Sequence, residues 1–250
     1  MRLGKAREYA KMGLREALFT LKTNALSIAL IIVLIIILFP LAIYNMLRSE
    51  SLALLPNEAK LQMVLPIVSI NNLVVALLVG VTAAAAIDQE RLVRVFEYLV
   101  VYSPYTAGEF LFIKMLSAVV VGAVAVVPYV VATYIIINMF TSINLLLPIL
   151  LILSLLISIA SLTLLLSLVS LLLEPKLANL VRTVLLIAVT TVAPVTIYKS
   201  NQSIKDIQAL STLASNMAGP LYVVSLIGLI AFIILYYIYR DRIVELALRW

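Results

Sequence analysis

The chain has 250 residues, 64% of them hydrophobic and only 12% charged, and its mean hydropathy is +1.19. A composition this apolar excludes an ordinary water-soluble domain and indicates an integral membrane protein. Cysteine and histidine are both absent, which excludes disulfides, thiolate or imidazole metal sites and histidine-based acid–base catalysis.

The first 23 residues predict an amphipathic helix that lies in the membrane interface. Leucine and alanine recur at helical spacing, and lysine, arginine and glutamate occupy most of the other positions. We expect the apolar side of this helix to lie among acyl chains and its basic side to lie near anionic headgroups.

Six apolar stretches follow, and each has roughly the 20 residues that a helix needs to cross a bilayer. They cover residues 25–47, 61–87, 110–140, 145–173, 177–198 and 220–239. The predicted fold class is therefore an all-α integral membrane protein with one transmembrane domain over residues 1–250. Six crossings place both termini on the same side of the membrane.

The distribution of basic residues predicts which side that is. Only four of the 18 lysines and arginines, namely Arg48, Lys60, Lys199 and Lys205, lie in loops on the opposite side from the termini. The positive-inside rule therefore places both termini in the cytoplasm. The basic residues lie beside apolar spans rather than among aromatic residues, so inner-leaflet anchoring explains the net charge of +6 better than binding to nucleic acid.

Residues 88–109 form a charged, cytoplasmic island between the second and third spans. The charges at its beginning are Asp88, Glu90, Arg91, Arg94 and Glu97. Glu90, Arg94 and Glu97 follow one another at spacings of four and three, which places them on one flank of a short amphipathic surface helix.

Ser103-Pro104 should end that helix, because proline lacks an N–H group and disfavours helical backbone in the residue before it. Thr106 and Glu109 have the spacing of a capping box, so a new helix is predicted to begin at once, with Lys114 at the membrane boundary. Two helices joined by a sharp polar turn would form a rigid structure for a soluble partner to bind. The simpler alternative is a solvated loop whose charges only orient the chain.

The succession Glu97, Leu99, Ser103-Pro104, Glu109 and Lys114 after an apolar span resembles the loop after the second span of type-2 ABC exporter permeases. In that family the segment forms the coupling helix that contacts the ATPase subunit. One departure is that Glu97 and Pro104 are one residue further apart than the family pattern. The resemblance implies an ATPase-coupling interface formed by Asp88, Glu90, Arg91, Arg94, Glu97, Ser103, Pro104 and Glu109.

The resemblance also implies the partners. The chain has no Gly-rich phosphate loop of its own, so ATP and Mg would be bound by a separate nucleotide-binding subunit, and this chain would hold no cofactor or metal. We expect a second permease, as a homodimer, in contact with membrane lipid in the plasma membrane of a prokaryote. The implied function is export of a hydrophobic, lipid-like or peptide substrate.

No feature of the sequence favours another source of energy or an enzyme. Every aspartate and glutamate lies at a loop or a span boundary, whereas proton- or sodium-driven transporters usually need such a group near the midplane. The chain has no serine–histidine pair and no carboxylate pair within the membrane for hydrolysis, and no acidic metal cluster for a membrane-embedded transferase. A non-transporting scaffold or anchor subunit of a membrane complex remains the alternative.

Two further segments carry polar residues. Asn71 and Asn72 lie well inside the second span, above Ala76, Gly80 and Ala84, whose spacing of four favours close helix packing. The two asparagines either bond across helices or line a substrate path. The outer loop 199–219 mixes polar and small apolar residues, which favours a short re-entrant hairpin over a flexible loop.

Overall fold

A computed structural model describes residues 3–23, 33–49, 54–92, 106–201 and 210–249. In these ranges the chain forms α-helices and no strand. The helices are α1 (Leu3–Thr23), α2 (Phe39–Arg48), α3 (Asn57–Leu92), α4 (Ala107–Phe140), α5 (Leu146–Leu172), α6 (Pro175–Asn201), α7 (Leu210–Tyr239) and α8 (Ile243–Arg249). A five-residue π-helical stretch, Leu34–Leu38, leads directly into α2. The predicted all-helical class is confirmed for this part of the chain.

Four of the described helices, α3, α4, α5 and α7, are long and apolar enough to cross a membrane. They correspond to the predicted second, third, fourth and sixth spans, so the chain has the character of a membrane-embedded protein. The predicted first span is described only from Val33, and side chains of α6, the predicted fifth span, are described only as far as Ala188. Six crossings therefore stay a prediction.

Several boundaries differ from the sequence prediction, most notably the end of α3 and the beginning of α7. Helix α3 does not end at Ile87 but continues through Asp88 to Leu92. The last helix begins before Pro220, because Leu213, Met217 and Ala218 are buried and extend its packing surface towards Leu210. The re-entrant hairpin is predicted over residues 199–219; of these, 199–201 end α6 and 210–219 begin α7, and 202–209 lie outside the described ranges.

Helix α5 is the centre of the bundle and packs against α3, α4 and α7. Its sequence is apolar around the whole circumference, which is typical of a helix surrounded by other helices or lipid. Leu155, Ile159 and Leu162 belong to the main core, together with residues of α3 and α4. Helix α7 is peripheral: only 17% of its most apolar window is buried, against 67% for α3.

Serine hydroxyls join α5 to α7 inside this core. The Ser158 and Ser225 hydroxyls lie 2.7 Å apart, and the Ser161 hydroxyl donates to the Ser225 carbonyl at 2.7 Å. The Ser154 hydroxyl donates to the Leu151 carbonyl of its own helix at 2.9 Å. Serines of apolar helices commonly bond to their own backbone or to a neighbouring helix, and both kinds of bond are present here.

Small residues bring α3 close to α5. Ala76 and Ala84 are fully buried, and a β-carbon added to Gly80 would lie 3.1 Å from Cβ of Leu162. A larger residue at Gly80 would therefore push the two helices apart. The predicted close packing along Ala76, Gly80 and Ala84 is confirmed.

Several elements that are distant in sequence meet at one end of the bundle. A second apolar cluster forms there from the end of α3, the beginning of α4, the end of α5 and α8. Its buried members are Ile87, Ala107, Phe110, Leu111, Leu168, Leu171, Ile243 and Ala247. Helix α1 also lies against α4. The short C-terminal helix α8, which the sequence analysis left within the tail, is held in place by this cluster.

The approach of α1 to α4 depends on Gly13, because a β-carbon there would lie 2.8 Å from Cβ of Leu116. We expect Gly13→Val to overpack this contact, at a cost of about 1–3 kcal/mol, and to detach α1. Tryptic cleavage after the exposed residues Lys11 and Arg15 should become faster than in the wild type. Ala10→Val, at an exposed position of the same helix, is the matched control, and equal cleavage of both variants would contradict the prediction.

Candidate functional site

Charged side chains pair α1 with α4 and α3 with α6 near one end of the bundle. We call this cluster the charged end; its residues are Tyr9, Glu16, Asp88, Glu109, Lys114 and Arg182. It lies beside the second apolar cluster, since Asp88 follows Ile87 and Glu109 precedes Phe110. Three of its side-chain contacts, Tyr9–Glu109, Glu16–Lys114 and Asp88–Arg182, each join two different helices.

Helix α4 begins with the predicted capping box. The Glu109 N–H group donates to the Thr106 hydroxyl at 3.3 Å, and the Thr106 N–H group donates to the Glu109 carboxylate at 2.9 Å. The Tyr9 hydroxyl of α1 donates to the other oxygen of the same carboxylate. Glu109 therefore both caps α4 and attaches α1 to it.

Lys114 lies two turns into α4 and is only 5% exposed, yet it carries a charge. Its ammonium group pairs with the Glu16 carboxylate of α1 and lies 5.1 Å from the centre of the Phe110 ring. Burial of an unpaired ammonium group would be strongly destabilising. The carboxylate of Glu16 on α1 pairs with Lys114 and offsets this cost. The sequence predicts only that Lys114 lies at the membrane boundary. In the structure its side chain also joins α4 to α1.

Arg182 of α6 and Asp88 of α3 form the second ion pair, and the arginine is only 3% exposed. The Arg182 Nε–H group also donates to the Ala178 carbonyl at 3.2 Å. Two buried atoms of the pair, Oδ1 of Asp88 and Nη1 of Arg182, have no hydrogen-bond partner among the described residues. The pair is thus made through a single contact rather than through the two parallel bonds that arginine and carboxylate can form.

The structure gives Asp88 and Glu109 roles that the sequence analysis did not assign. Both were predicted to contact a soluble partner, whereas their carboxylates contact other helices of the same chain. Glu90 and Arg91 lie on the last turn of α3, and nothing further is described of their side chains. Arg94, Glu97, Ser103 and Pro104 lie outside the described residues. The coupling role of these residues stays a prediction.

Sequence reasoning missed the role of Arg182, which it used only to orient the chain. The signal was present, since a single arginine follows an apolar helical turn and an arginine at such a position needs a carboxylate on a neighbouring helix. Several carboxylates, among them Asp88, Glu109 and Glu174, lie at the same end of the predicted spans. Only the packing of α6 against α3 selects Asp88.

The two asparagines of α3 differ in their surroundings. Asn72 is 1% exposed; its amide donates to the Met217 carbonyl at 3.2 Å and accepts from the Tyr129 hydroxyl at 3.0 Å. It thereby joins α3, α4 and α7, which is the cross-helix alternative stated above. Asn71 is half-buried. Asn72 takes part in helix packing. Of the two residues predicted to line a substrate path, Asn71 is therefore the more exposed.

The described part of the chain contains no group of three acidic side chains that could hold a metal ion. Comparisons of the chain with protein families, with characterised proteins and with solved structures find no match.

The Asp88–Arg182 pair provides a test of how much the charged end contributes to stability. Asp88→Ala leaves Arg182 buried without its partner and should lower the free energy of unfolding by about 3–5 kcal/mol. Replacement of both residues, Asp88→Leu with Arg182→Met, should recover most of that loss, because no buried charge remains. The measurement is the midpoint of thermal unfolding of the purified protein in detergent.

The matched control is Asp241→Ala, which removes a carboxylate that is 94% exposed and pairs with Arg240 at 3.6 Å. This variant should unfold at the wild-type midpoint, since exposed pairs contribute little. If Asp88→Ala also unfolds at the wild-type midpoint, the pair does not hold α3 to α6.

Proposed function

We propose that the chain is the membrane-spanning permease subunit of an ATP-driven ABC exporter. The observation that carries the proposal is the charged end, where three polar contacts connect both flanks of the 88–109 island to α1 and α6. The resemblance of the island to a coupling loop supplies the functional context. A separate nucleotide-binding subunit would bind ATP and Mg, and this chain would carry no catalytic group.

The contacts suggest how movement of the island would reach the spans. Asp88 lies on the flank that leads into the island and is paired with Arg182, so a shift of this flank would pull on α6. Glu109 and Lys114 lie on the flank that leaves the island and are bonded to Tyr9 and Glu16 of α1. A load applied by a closing ATPase dimer would therefore reach α3, α4 and α6 together.

The proposed arrangement places both termini and the island on the cytoplasmic side of a prokaryotic plasma membrane, with six spans. The gathering of α1, α8 and both island flanks at one end of the bundle supports this sidedness. A second copy of the chain and membrane lipid would cover the outward apolar face of α7. The scarcity of charge inside the bundle favours a hydrophobic, lipid-like or peptide substrate.

The first test is whether a soluble ATPase accompanies the chain. The protein is extracted gently from its native membranes and captured through an added tag, and ATP hydrolysis is measured in the eluate. We expect an ATPase subunit to be recovered with the wild type. Reversal of one charge in the island, Glu97→Lys, should reduce its recovery at least about tenfold, because like charges brought together in an interface are strongly unfavourable.

Glu58→Lys is the matched control, since Glu58 is an exposed glutamate at the far end of α3 from the island. It should retain the ATPase. Recovery of the chain without any ATPase would favour the scaffold alternative. Equal recovery with Glu97→Lys and Glu58→Lys would place the contact elsewhere than in the island.

A further inference from the structure

A cavity of about 50 Å³ lies between α1, α3 and α4, beside the Glu16–Lys114 pair. A single water needs roughly 10–15 Å³ by the same measure, so the space is several times larger than a water site. The three helices leave it open because their facing residues are small. Its walls include Ala83, Ala86, Ala118 and Ala125.

The lining changes from charged to apolar along the cavity. Glu16, Lys114 and Ser117 form one end, and Val79, Val121 and Ala125 form the other. The helical rise of 1.5 Å per residue places Ala125 about 16 Å beyond Lys114 along α4. The Thr82 hydroxyl, midway along, donates to the Leu78 carbonyl of its own helix at 2.7 Å. The lining of the cavity therefore matches an amphipathic molecule, with a charged end and an apolar end.

The charged end of the cavity determines which headgroup fits. Lys114 is 5% exposed, and removal of Glu16 from it would leave a buried ammonium without its carboxylate. Such a loss is unfavourable unless the ligand brings an anion. When the anion of the ligand takes the place of Glu16 beside Lys114, the Glu16 carboxylate loses its cation. A ligand cation with N–H groups would replace it. A zwitterion that carries both groups satisfies both side chains, whereas a purely anionic headgroup places its charge beside Glu16.

The position of the cavity favours a membrane lipid over a soluble zwitterion. The Glu16 side chain is 23% exposed, so a headgroup can reach the ion pair from outside the bundle. The outward side of α1 carries Leu18 and Phe19, which are 59% and 66% exposed, as expected for a helix in the membrane interface. An acyl chain at this interface would lie next to the cavity between α1, α3 and α4.

We infer that the cavity binds a zwitterionic phospholipid with a primary ammonium headgroup, such as phosphatidylethanolamine. The phosphate contacts Lys114, the ammonium donates to Glu16, and part of one acyl chain occupies the space lined by Ala83, Ala86 and Val121. The binding is independent of the proposed transport function. It requires neither the ATPase nor the island, so failure of either proposal leaves the other standing.

The test uses native mass spectrometry of the full chain, purified in detergent, delipidated and titrated with phospholipids of identical acyl chains. We expect phosphatidylethanolamine to be retained at least about tenfold more tightly than phosphatidylglycerol or phosphatidylcholine, which respectively lack the ammonium group and its N–H donors. Equal retention of the three lipids would overturn the proposal, because the cavity would then hold water or bind lipids without specificity.

Two pairs of variants locate the site. Ala86→Leu fills the cavity and should abolish the preference, whereas Ala85→Leu, a half-buried neighbour that does not line it, should keep the preference. Val121→Phe fills the cavity from α4 and should act like Ala86→Leu. If both Ala86→Leu and Val121→Phe kept the preference for phosphatidylethanolamine, the cavity would not be the lipid-binding site.

Glu16→Gln separates recognition from packing, because it keeps the size of the side chain and removes its negative charge. Lys114 then attracts anionic headgroups without opposition, so the preference should move from phosphatidylethanolamine to phosphatidylglycerol. A purely structural role of Glu16 would weaken binding of all lipids alike. That result would overturn the proposed role of the ion pair.

Discussion

A charge buried on an apolar helix must be paired with an opposite charge on a neighbouring helix, and the described bundle depends on this constraint at its charged end. Lys114 and Arg182 are both almost fully buried, and each contacts a carboxylate on another helix. Apolar packing contributes to the fit of neighbouring helices, and a buried ion pair adds a contact that only one register of the two helices permits. The ion pairs select one register for α1 on α4 and one for α6 on α3.

The local features of the fold could be predicted from the sequence because they depend on neighbours in the chain. The capping box of Thr106 and Glu109 and the close packing along Gly80 follow from spacings of three and four residues. The partner of Arg182 could not be predicted, because it lies 94 positions away and several carboxylates were available. Helix α3 also continues to Leu92, beyond the predicted end of the span, and Asp88 in this extension pairs with Arg182 of α6.

The same pairs bear on the proposed function and on the lipid site in different ways. Asp88–Arg182 has two buried atoms without a described partner, so it has hydrogen-bonding capacity that a changed arrangement of α3 and α6 could use. Glu16–Lys114 lines one end of a cavity. In the proposed function the first pair would transmit movement between helices, and in the proposed lipid site the second would recognise a zwitterionic headgroup.

In the proposed function the charged end and the 88–109 island face the cytoplasm, where an ATPase would bind. The chain has no cysteine, so single cysteines can be introduced directly and labelled in intact cells with a membrane-impermeant maleimide. Cysteines at Lys11, Ser103 and Asp241 should react only after permeabilisation, whereas cysteines at the exposed residues Leu54 and Ser142 should react in intact cells. Labelling of Ser103→Cys in intact cells would contradict the account.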